Sequence, residues 1–337
     1  MLYQANEKRY DSMTYRFAGH TGLQLPAISL GLWHNFGHSG APDNMREMLK
    51  TAFDLGITHF DLANNYGPPE GAAEENFGRL MQKSFRPYRD ELIISTKAGY
   101  NMWPGPYGSG GSRKYLLSSL DQSLQRMGLE YVDIFYLHRM TPDTPIEESM
   151  LALDQAVRSG KALYVGLSNH DGETGKKATK ILEELKTPFV MHQNSYSILD
   201  RRIEENGLLD LAKKEDQGLI CFKPLDQGLL TDKYLHGIPE DSRIRRDGRF
   251  LKESNLTPEL LEKIEKLNTM ARDRGQTLAQ MALAWVYQNP TVTSVLIGAS
   301  RPEQIVENVK SLENVNFSDD EVDRIDTIVE GRAQWKS

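Results

Sequence analysis

The chain has 337 residues, 39% of them apolar and 26% charged, a composition that supports a sizeable folded core. Its 40 lysines and arginines stand against 47 aspartates and glutamates, a net charge of −7, which argues against a nucleic-acid partner because phosphate binding needs clustered positive charge. One cysteine, Cys221, excludes an internal disulfide and suits a reducing compartment. No apolar run reaches the ~18 residues of a membrane span, and Glu7-Lys8-Arg9 lacks the apolar stretch of a signal peptide behind it. The expectation is a cytoplasmic chain without membrane contact, folded as one domain over residues 1–337.

In chain order, Tyr15 to Leu25, with Gly19 and Gly22 as turn residues, reads as a hairpin. Ile28 to Leu32 supplies a strand, and Met45, Leu49 and Phe53 form a helical stripe that Gly56 stops. Ile57 to Leu62 is the second strand, followed by a helix from about Glu74 to Lys83 and a third strand at Leu92–Thr96. Leu117, Leu120, Leu124 and Met127 mark a helix before the strand Val132–Leu137, and Ile146, Met150, Leu153 and Val157 mark another before Ala162–Leu167.

Then come a helix near Thr174–Leu185, a strand at Phe189–Gln193, a helix near Glu205–Lys214 and a strand at Leu219–Phe222. After a polar insertion over Tyr234–Ser254, Thr257 and Pro258 open a helix. A second helix, Leu278 to Trp285, precedes the strand Ser294–Ile297. The helix of Ile305, Val309 and Leu312 follows, and a last helix starts at Ser318, with Glu321 three residues on as a capping box.

Strands separated by helices run parallel, and eight strand–helix pairs close most readily into a (β/α)8 TIM barrel, here with an N-terminal hairpin across one mouth and extra C-terminal helices. An open doubly wound sheet is the competing architecture, but no G-x-G-x-x-G turn follows a strand. The Gly108–Gly111 run lies far from any strand end and reads as a loop.

Chemistry in such barrels sits at the C-terminal ends of the strands. Those ends carry Trp33, Asp61 with Tyr66 five residues on, Lys97, His138-Arg139, Ser168-Asn169, Gln193-Asn194, Phe222-Lys223 and Gly298-Ala299-Ser300. Asp61 and Lys97 end adjacent strands about 4.8 Å apart, close enough to pair. Such a pair is either a structural ion pair or part of a site. Tyr66 favours the site: a phenol of pKa about 10 beside an ammonium is expected to be acidified, and could then protonate an oxygen gaining negative charge. His138, one strand further, could bond the same oxygen; by itself a strand-end histidine is more often a satisfied structural residue, and it is the four groups on three consecutive strands that favour the site.

The segments Phe60-Asp-Leu-Ala-Asn-Asn-Tyr-Gly67, Ser95-Thr-Lys-Ala98 and Phe135-Tyr-Leu-His138 resemble the active-site motifs of the aldo-keto reductase superfamily, in family order and over nearly the whole chain. The likeness implies a barrel reductase using NADPH/NADP+, with a catalytic tetrad on Tyr66, Asp61, Lys97 and His138. Ser112-Arg-Lys, Leu129-Glu-Tyr-Val-Asp133, Pro224-Leu225 with Gly228 and Lys233, and Gly298-Ala-Ser-Arg-Pro-Glu-Gln304 with Glu307-Asn308 resemble the branch of bacterial L-glyceraldehyde 3-phosphate reductases and potassium-channel β-subunits. His138 stands where channel subunits tend to carry Asn, which favours the reductases. The branch also implies a homo-oligomer, a tetramer or octamer.

Beside that likeness, Ser168, Asn169 and Gln193 are suited to grip a carboxamide. Phe222 offers a face for a nicotinamide ring or is ordinary barrel packing. Gly298 allows close backbone approach, and Ser300 starts a helix whose N-terminal N–H groups suit an anion, unless it is only a cap with Glu303. Arg301 favours a 2′-phosphate, and Gln304, Glu307 and Asn308 share its helix face. By resemblance, Pro224, Leu225, Gly228 and Lys233 belong to the cofactor loop, Trp33 and Asp61 line the same pocket, and Arg243 closes over the pyrophosphate. Relatives carry a small hydroxyl residue where this chain has Lys223. For substrate, Trp33, Tyr66, Trp103 and His138, with Tyr100, form the wall, and Arg139 or Arg113 attracts an anionic group. The spacing His34-x-x-x-His38 lacks companion ligands, so no metal is expected.

The implied reaction is reduction of small aldehydes, triose phosphate and methylglyoxal-like ketoaldehydes among them. A cofactor-loaded regulatory subunit of a channel and a Schiff-base lyase using Lys97 are the alternatives.

Overall fold

The structure is a computed structural model that describes residues 3–240, 242–246 and 251–329. Eight parallel strands close on themselves: β3 (Ile28–Gly31), β4 (His59–Asp61), β5 (Ile93–Ala98), β6 (Val132–Leu137), β7 (Ala162–Ser168), β8 (Phe189–Ser195), β9 (Gly218–Phe222) and β10 (Ser294–Ile297), with β10 pairing β3 to seal the barrel. Helices alternate with the strands, so the chain is a TIM barrel, as eight strand–helix pairs require.

Two antiparallel strands, β1 (Tyr15–Phe17) and β2 (Gln24–Pro26), form the N-terminal hairpin. Its Ala18 and Leu25, with Leu23, join the cluster that fills the barrel interior, together with Ile134, Tyr136, Met191, Ile220 and Leu296. The hairpin thus plugs the mouth opposite the strand C-termini. Gly19 seats it: a Cβ there would stand 2.1 Å from the Asp216 carbonyl oxygen, and φ is +56°, so only glycine fits both the approach and the conformation.

Helix starts follow side-chain chemistry. Ser112, Asp171, Thr257 and Thr277 each accept a backbone N–H in the first turn of the helix they precede, and Thr277 completes a capping box with Gln280. Ser318 and Glu321 bond reciprocally before the helix Asp319–Val329, as their spacing predicts.

Several boundaries differ from the sequence reading. The helix placed at Glu74–Lys83 runs Ala72–Leu80, begins after left-handed Gly71 and continues as a π turn, Met81–Phe85. The helix placed at Glu205–Lys214 is two, Arg202–Glu205 and Leu208–Lys214, split by left-handed Gly207. Ladder pairing confines β4 to three residues, whereas β8 runs on to Ser195. No helix among the described residues is long and apolar enough to cross a membrane.

Candidate active site

The period-2 alternation of a strand sends Asp61 and His59 of β4, and Ser95 and Lys97 of β5, into the barrel. Asp61 and Ser95 are direct register partners. Asp61 and Lys97 are fully buried and 2.5 Å apart. The ammonium spends its three protons on Asp61 Oδ2, the Leu62 carbonyl at 2.6 Å and the Tyr66 hydroxyl oxygen at 3.3 Å. Asp61 Oδ1 in turn accepts from Ser95 Oγ at 2.6 Å and from Gln193 Nε2 at 3.0 Å. The Asp61 carboxylate and the Lys97 ammonium are thus each fully hydrogen-bonded, which is what keeps two buried charges tolerable.

Tyr66 hangs beyond β4 in the loop and meets the cluster with its hydroxyl. Its ring lies 6.0 Å from that of His138, edge to face, and 6.2 Å from Trp33; the Tyr100 ring lies 4.7 Å from His138 at 90°. Tyr66, His138, Trp33 and Tyr100 therefore share one end of the barrel with the ion pair.

The expected acidification of the phenol is overturned. Burial, then the Asp61 carboxylate and Tyr100, push Tyr66 well above the ordinary phenol value even with the Lys97 hydrogen bond in place. Burial pulls Lys97 below the usual amine value, with Asp61 opposing. His138 is held well below the ordinary imidazole value by burial, then by Lys97 and Arg139. At neutral pH the site presents a protonated phenol and a neutral imidazole, the states a proton-donating site needs.

The other predicted residues fall into four groups. Ser168, Asn169 and Gln193 do come together at the ends of β7 and β8, but their amides are already engaged: Asn169 Nδ2 donates to the His138 carbonyl at 2.9 Å and to Ser168 Oγ at 3.1 Å, and Gln193 Nε2 serves Asp61. Asn169 adopts a left-handed φ of 58°. After β9, which ends at Phe222, Lys223, Asp226 and Gln227 are also left-handed, with φ of 55°, 43° and 61°, in the loop that holds Pro224, Leu225 and Gly228. Strain of about 1–3 kcal/mol per such residue persists only where the surroundings dictate it, which sets this loop apart from an ordinary connection. Lys233 lies in the short turn Asp232–Tyr234 just beyond.

The Gly298–Ser300 segment differs from its reading. The helix runs Pro302–Val309 with Arg301 as N-cap and no side-chain cap. Ser300 and Glu303 make no capping box; instead the Ser300 N–H and hydroxyl both donate to Gln304 Oε1, at 2.8 and 3.1 Å, since Pro302 shifts the start by one residue and supplies no N–H. Glu307 pairs with Lys310 at 2.6 Å and Asn308 is buried. Arg301 is largely exposed and sits 3.9 Å from Glu303. The Arg243 side chain lies outside the described residues.

Of the substrate candidates, Arg139 donates to the Gly99 carbonyl at 3.0 Å and stacks over Tyr100, beside His138. Trp103 packs on Tyr115 at 5.3 Å. Arg113 is turned away: it bonds the Leu151 carbonyl and Gln155 on the helix Ile146–Arg158. His38 pairs with Glu75 at 3.1 Å, and among the described residues no group of three or more His, Cys, Asp and Glu side chains is arranged to hold a metal. Sequence reasoning passed over Ser95, which grips Asp61 directly; its place two residues before Lys97, on the same strand face, is the signal that could have found it.

A closed barrel that gathers a tyrosine, a buried lysine–aspartate pair and a neutral histidine at its C-terminal rim is the architecture of a barrel enzyme. The Aldo/keto reductase family model matches residues 27–330, and the chain belongs to this family of oxidoreductases. It is 60% identical over 329 residues to the "L-glyceraldehyde 3-phosphate reductase" of Escherichia coli K12, covering 97% of this chain and 95% of the relative. A "putative voltage-gated potassium channel subunit beta" of Schizosaccharomyces pombe is more distant, at 37% over 90% of each chain. Among solved structures, a thermostable aldo-keto reductase crystallised with epalrestat superposes with a TM-score of 0.73 at 30% identity, over 94% of this chain and all of the other.

Proposed function

We propose that the chain reduces small aldehydes with NADPH, L-glyceraldehyde 3-phosphate and methylglyoxal-like ketoaldehydes being its substrate class, with Tyr66 as general acid. The observation that carries this reading is the Lys97–Tyr66 hydrogen bond of 3.3 Å, anchored by Asp61. The 60% identity to a reductase of that name favours the phosphorylated triose. The more distant channel-subunit relatives keep the cofactor-loaded regulatory subunit as the second reading.

A dinucleotide fits the residues present. A Cβ added at Gly298 would meet nothing within 4 Å, so the strand end faces open ground where a ligand can approach the backbone. The strained loop from Lys223 to Gly228 follows β9, the strand that neighbours β10. Phe222, Ser168, Asn169 and Gln193 would hold the nicotinamide end. Pro224, Leu225, Gly228 and Lys233 would hold the pyrophosphate, and Ser300, Arg301, Gln304, Glu307 and Asn308 the adenosine 2′-phosphate end. The bound cofactor supplies the reducing pair of electrons to the carbonyl carbon.

This chain's own part is proton handling. Tyr66 gives its hydroxyl proton to the carbonyl oxygen as negative charge develops there. Lys97, already bonded to the phenol oxygen, stabilises the phenolate left behind, and Asp61 fixes the ammonium. A neutral His138 N–H orients the same carbonyl oxygen. Trp33, Tyr100 and Trp103 wall the mouth, and Arg139 attracts the phosphate or carboxylate of the substrate. The test is a spectrophotometric screen of small aldehydes with NADPH and NADH in parallel. Turnover of triose phosphate with NADPH supports the reading; cofactor binding without aldehyde-dependent oxidation favours the regulatory subunit.

A further inference from the structure

Beneath the ion pair, a polar column runs through the barrel interior, where bulky aliphatic side chains are the usual filling. Ser294 Oγ and Ser29 Oγ are 2.6 Å apart, Ser29 Oγ is 2.9 Å from His59 Nδ1, His59 Nε2 is 2.9 Å from Ser95 Oγ, and Ser95 Oγ donates to Asp61 Oδ1 at 2.6 Å. Ser294, Ser29, His59, Ser95 and Asp61 are all fully buried. No proton step proposed above uses the first three, yet each carries the desolvation cost of a buried polar group, about 1–3 kcal/mol when unpaired.

The polarity of the column follows from its upper end. Asp61 is an acceptor toward Lys97 and Gln193, so the Ser95 hydroxyl proton points at Asp61. Ser95 Oγ must then accept from His59, which places the imidazole proton on Nε2. Burial depresses the His59 pKa to about 4, so the ring is neutral, Nδ1 is bare, and Ser29 donates to it. In the other tautomer Nε2 would be an acceptor competing with Asp61 for the one Ser95 proton.

We propose that His59, held as its Nε2–H tautomer between Ser95 above and the Ser29 hydroxyl below, is a positioning residue for the reduction: its Nε2–H commits the Ser95 hydroxyl to Asp61 and thereby supports the carboxylate orientation on which the Lys97–Tyr66 contact depends. This rests on the aldehyde-reductase reading, and the two fail differently. A wild-type protein without reductase turnover removes that reading and leaves the tautomer measurable.

The polarity makes two neighbouring serines unequal. Ser29→Ala removes the donor to Nδ1; Ser294→Ala leaves that donor in place. Both are buried single-oxygen deletions; Ser29 bridges Ser294 and His59 whereas Ser294 meets only Ser29, so a merely structural role costs Ser29→Ala more in urea midpoint while leaving kcat unchanged. The test combines nitrogen-15 NMR of the histidines, with His59→Asn to assign the signal, and kcat and KM for aldehyde reduction. Expected is a wild-type His59 protonated on Nε2, a kcat about tenfold lower in Ser29→Ala with KM unchanged, and near wild-type kcat in Ser294→Ala. A proton on Nδ1 in the wild type, equal losses in the two variants, or no loss in Ser29→Ala overturns it.

Discussion

Lys97 Nζ donates to Tyr66 Oη across 3.3 Å, and it does so with the last of its three protons, the other two being held by Asp61 and the Leu62 carbonyl. A buried ammonium whose bonds are all assigned cannot swing away from the phenol without breaking its ion pair. The phenol oxygen is thus met from behind by a fixed positive charge while its proton remains available to a substrate.

Deleting one partner of this pair is expected to uncover the other. Lys97→Met should abolish turnover and destabilise the fold by about 3–5 kcal/mol, because the Asp61 carboxylate is left buried and unpaired. Lys97→Met combined with Asp61→Leu should recover much of that stability and none of the activity. Urea unfolding beside a turnover assay separates the two effects; a single variant as stable as wild type contradicts the buried pairing.

Gly298 offers a cleaner test of the cofactor ground. Its Cβ position has no neighbour within 4 Å, so Gly298→Ala should change stability by less than about 0.5 kcal/mol. Affinity for NADPH should nevertheless fall about tenfold, read by fluorescence titration, since the methyl occupies the space assigned to the ligand. Unaltered affinity would place the cofactor elsewhere.

Arg139 is expected to read substrate charge. Arg139→Gln should raise KM about tenfold for a phosphorylated triose, the size of one charge-assisted hydrogen bond, and leave KM for an uncharged aldehyde in place. Steady-state kinetics on the two substrates in parallel decides it, and equal shifts for both would assign Arg139 a purely structural role.

Acid should weaken the fold through buried histidines away from the solvent. Burial depresses His59, His170 and His192 to about 4. An unfolded histidine takes up its proton near pH 6.5. Between these values the unfolded chain binds more protons, so stability is full above about pH 6.5 and falls as pH drops toward 4, each tenfold difference in proton affinity being worth about 1.4 kcal/mol. Denaturant midpoints measured down this range should decline steeply; a flat profile contradicts the neutral burial of these rings.

The barrel was legible in the sequence because short apolar runs alternate with helical stripes, and most of those runs end in polar or aromatic residues that mark one rim. Asp61, Lys97 and His138 could be placed there from strand position alone, and Tyr66 from its offset to Asp61. The hairpin from Tyr15 to Leu25 was legible as a turn pattern, and its plugging role rests on Ala18 and Leu25 reaching the interior cluster. What escaped depends on how strands align around the barrel. Ser29, His59 and Ser294 look like isolated polar residues in three apolar strands, and only the closed register stacks them.

Two further misreadings share a physical cause, neglect of a competing neighbour. Ser300 as the helix start, with a Glu303 cap as its alternative, yields to Arg301, and Gln304 reaches back to Ser300 because Pro302 sets the first turn. The expected acidity of Tyr66 counted Lys97 and not the burial that accompanies it.

The central claim is that the Tyr66 hydroxyl delivers the proton to the substrate oxygen, and Tyr66→Phe tests it with the ring and its packing preserved. The expected result is a kcat for aldehyde reduction lower by about 10²–10⁴-fold with NADPH affinity unchanged. Turnover within a factor of a few of wild type, at the same cofactor affinity, would contradict the account.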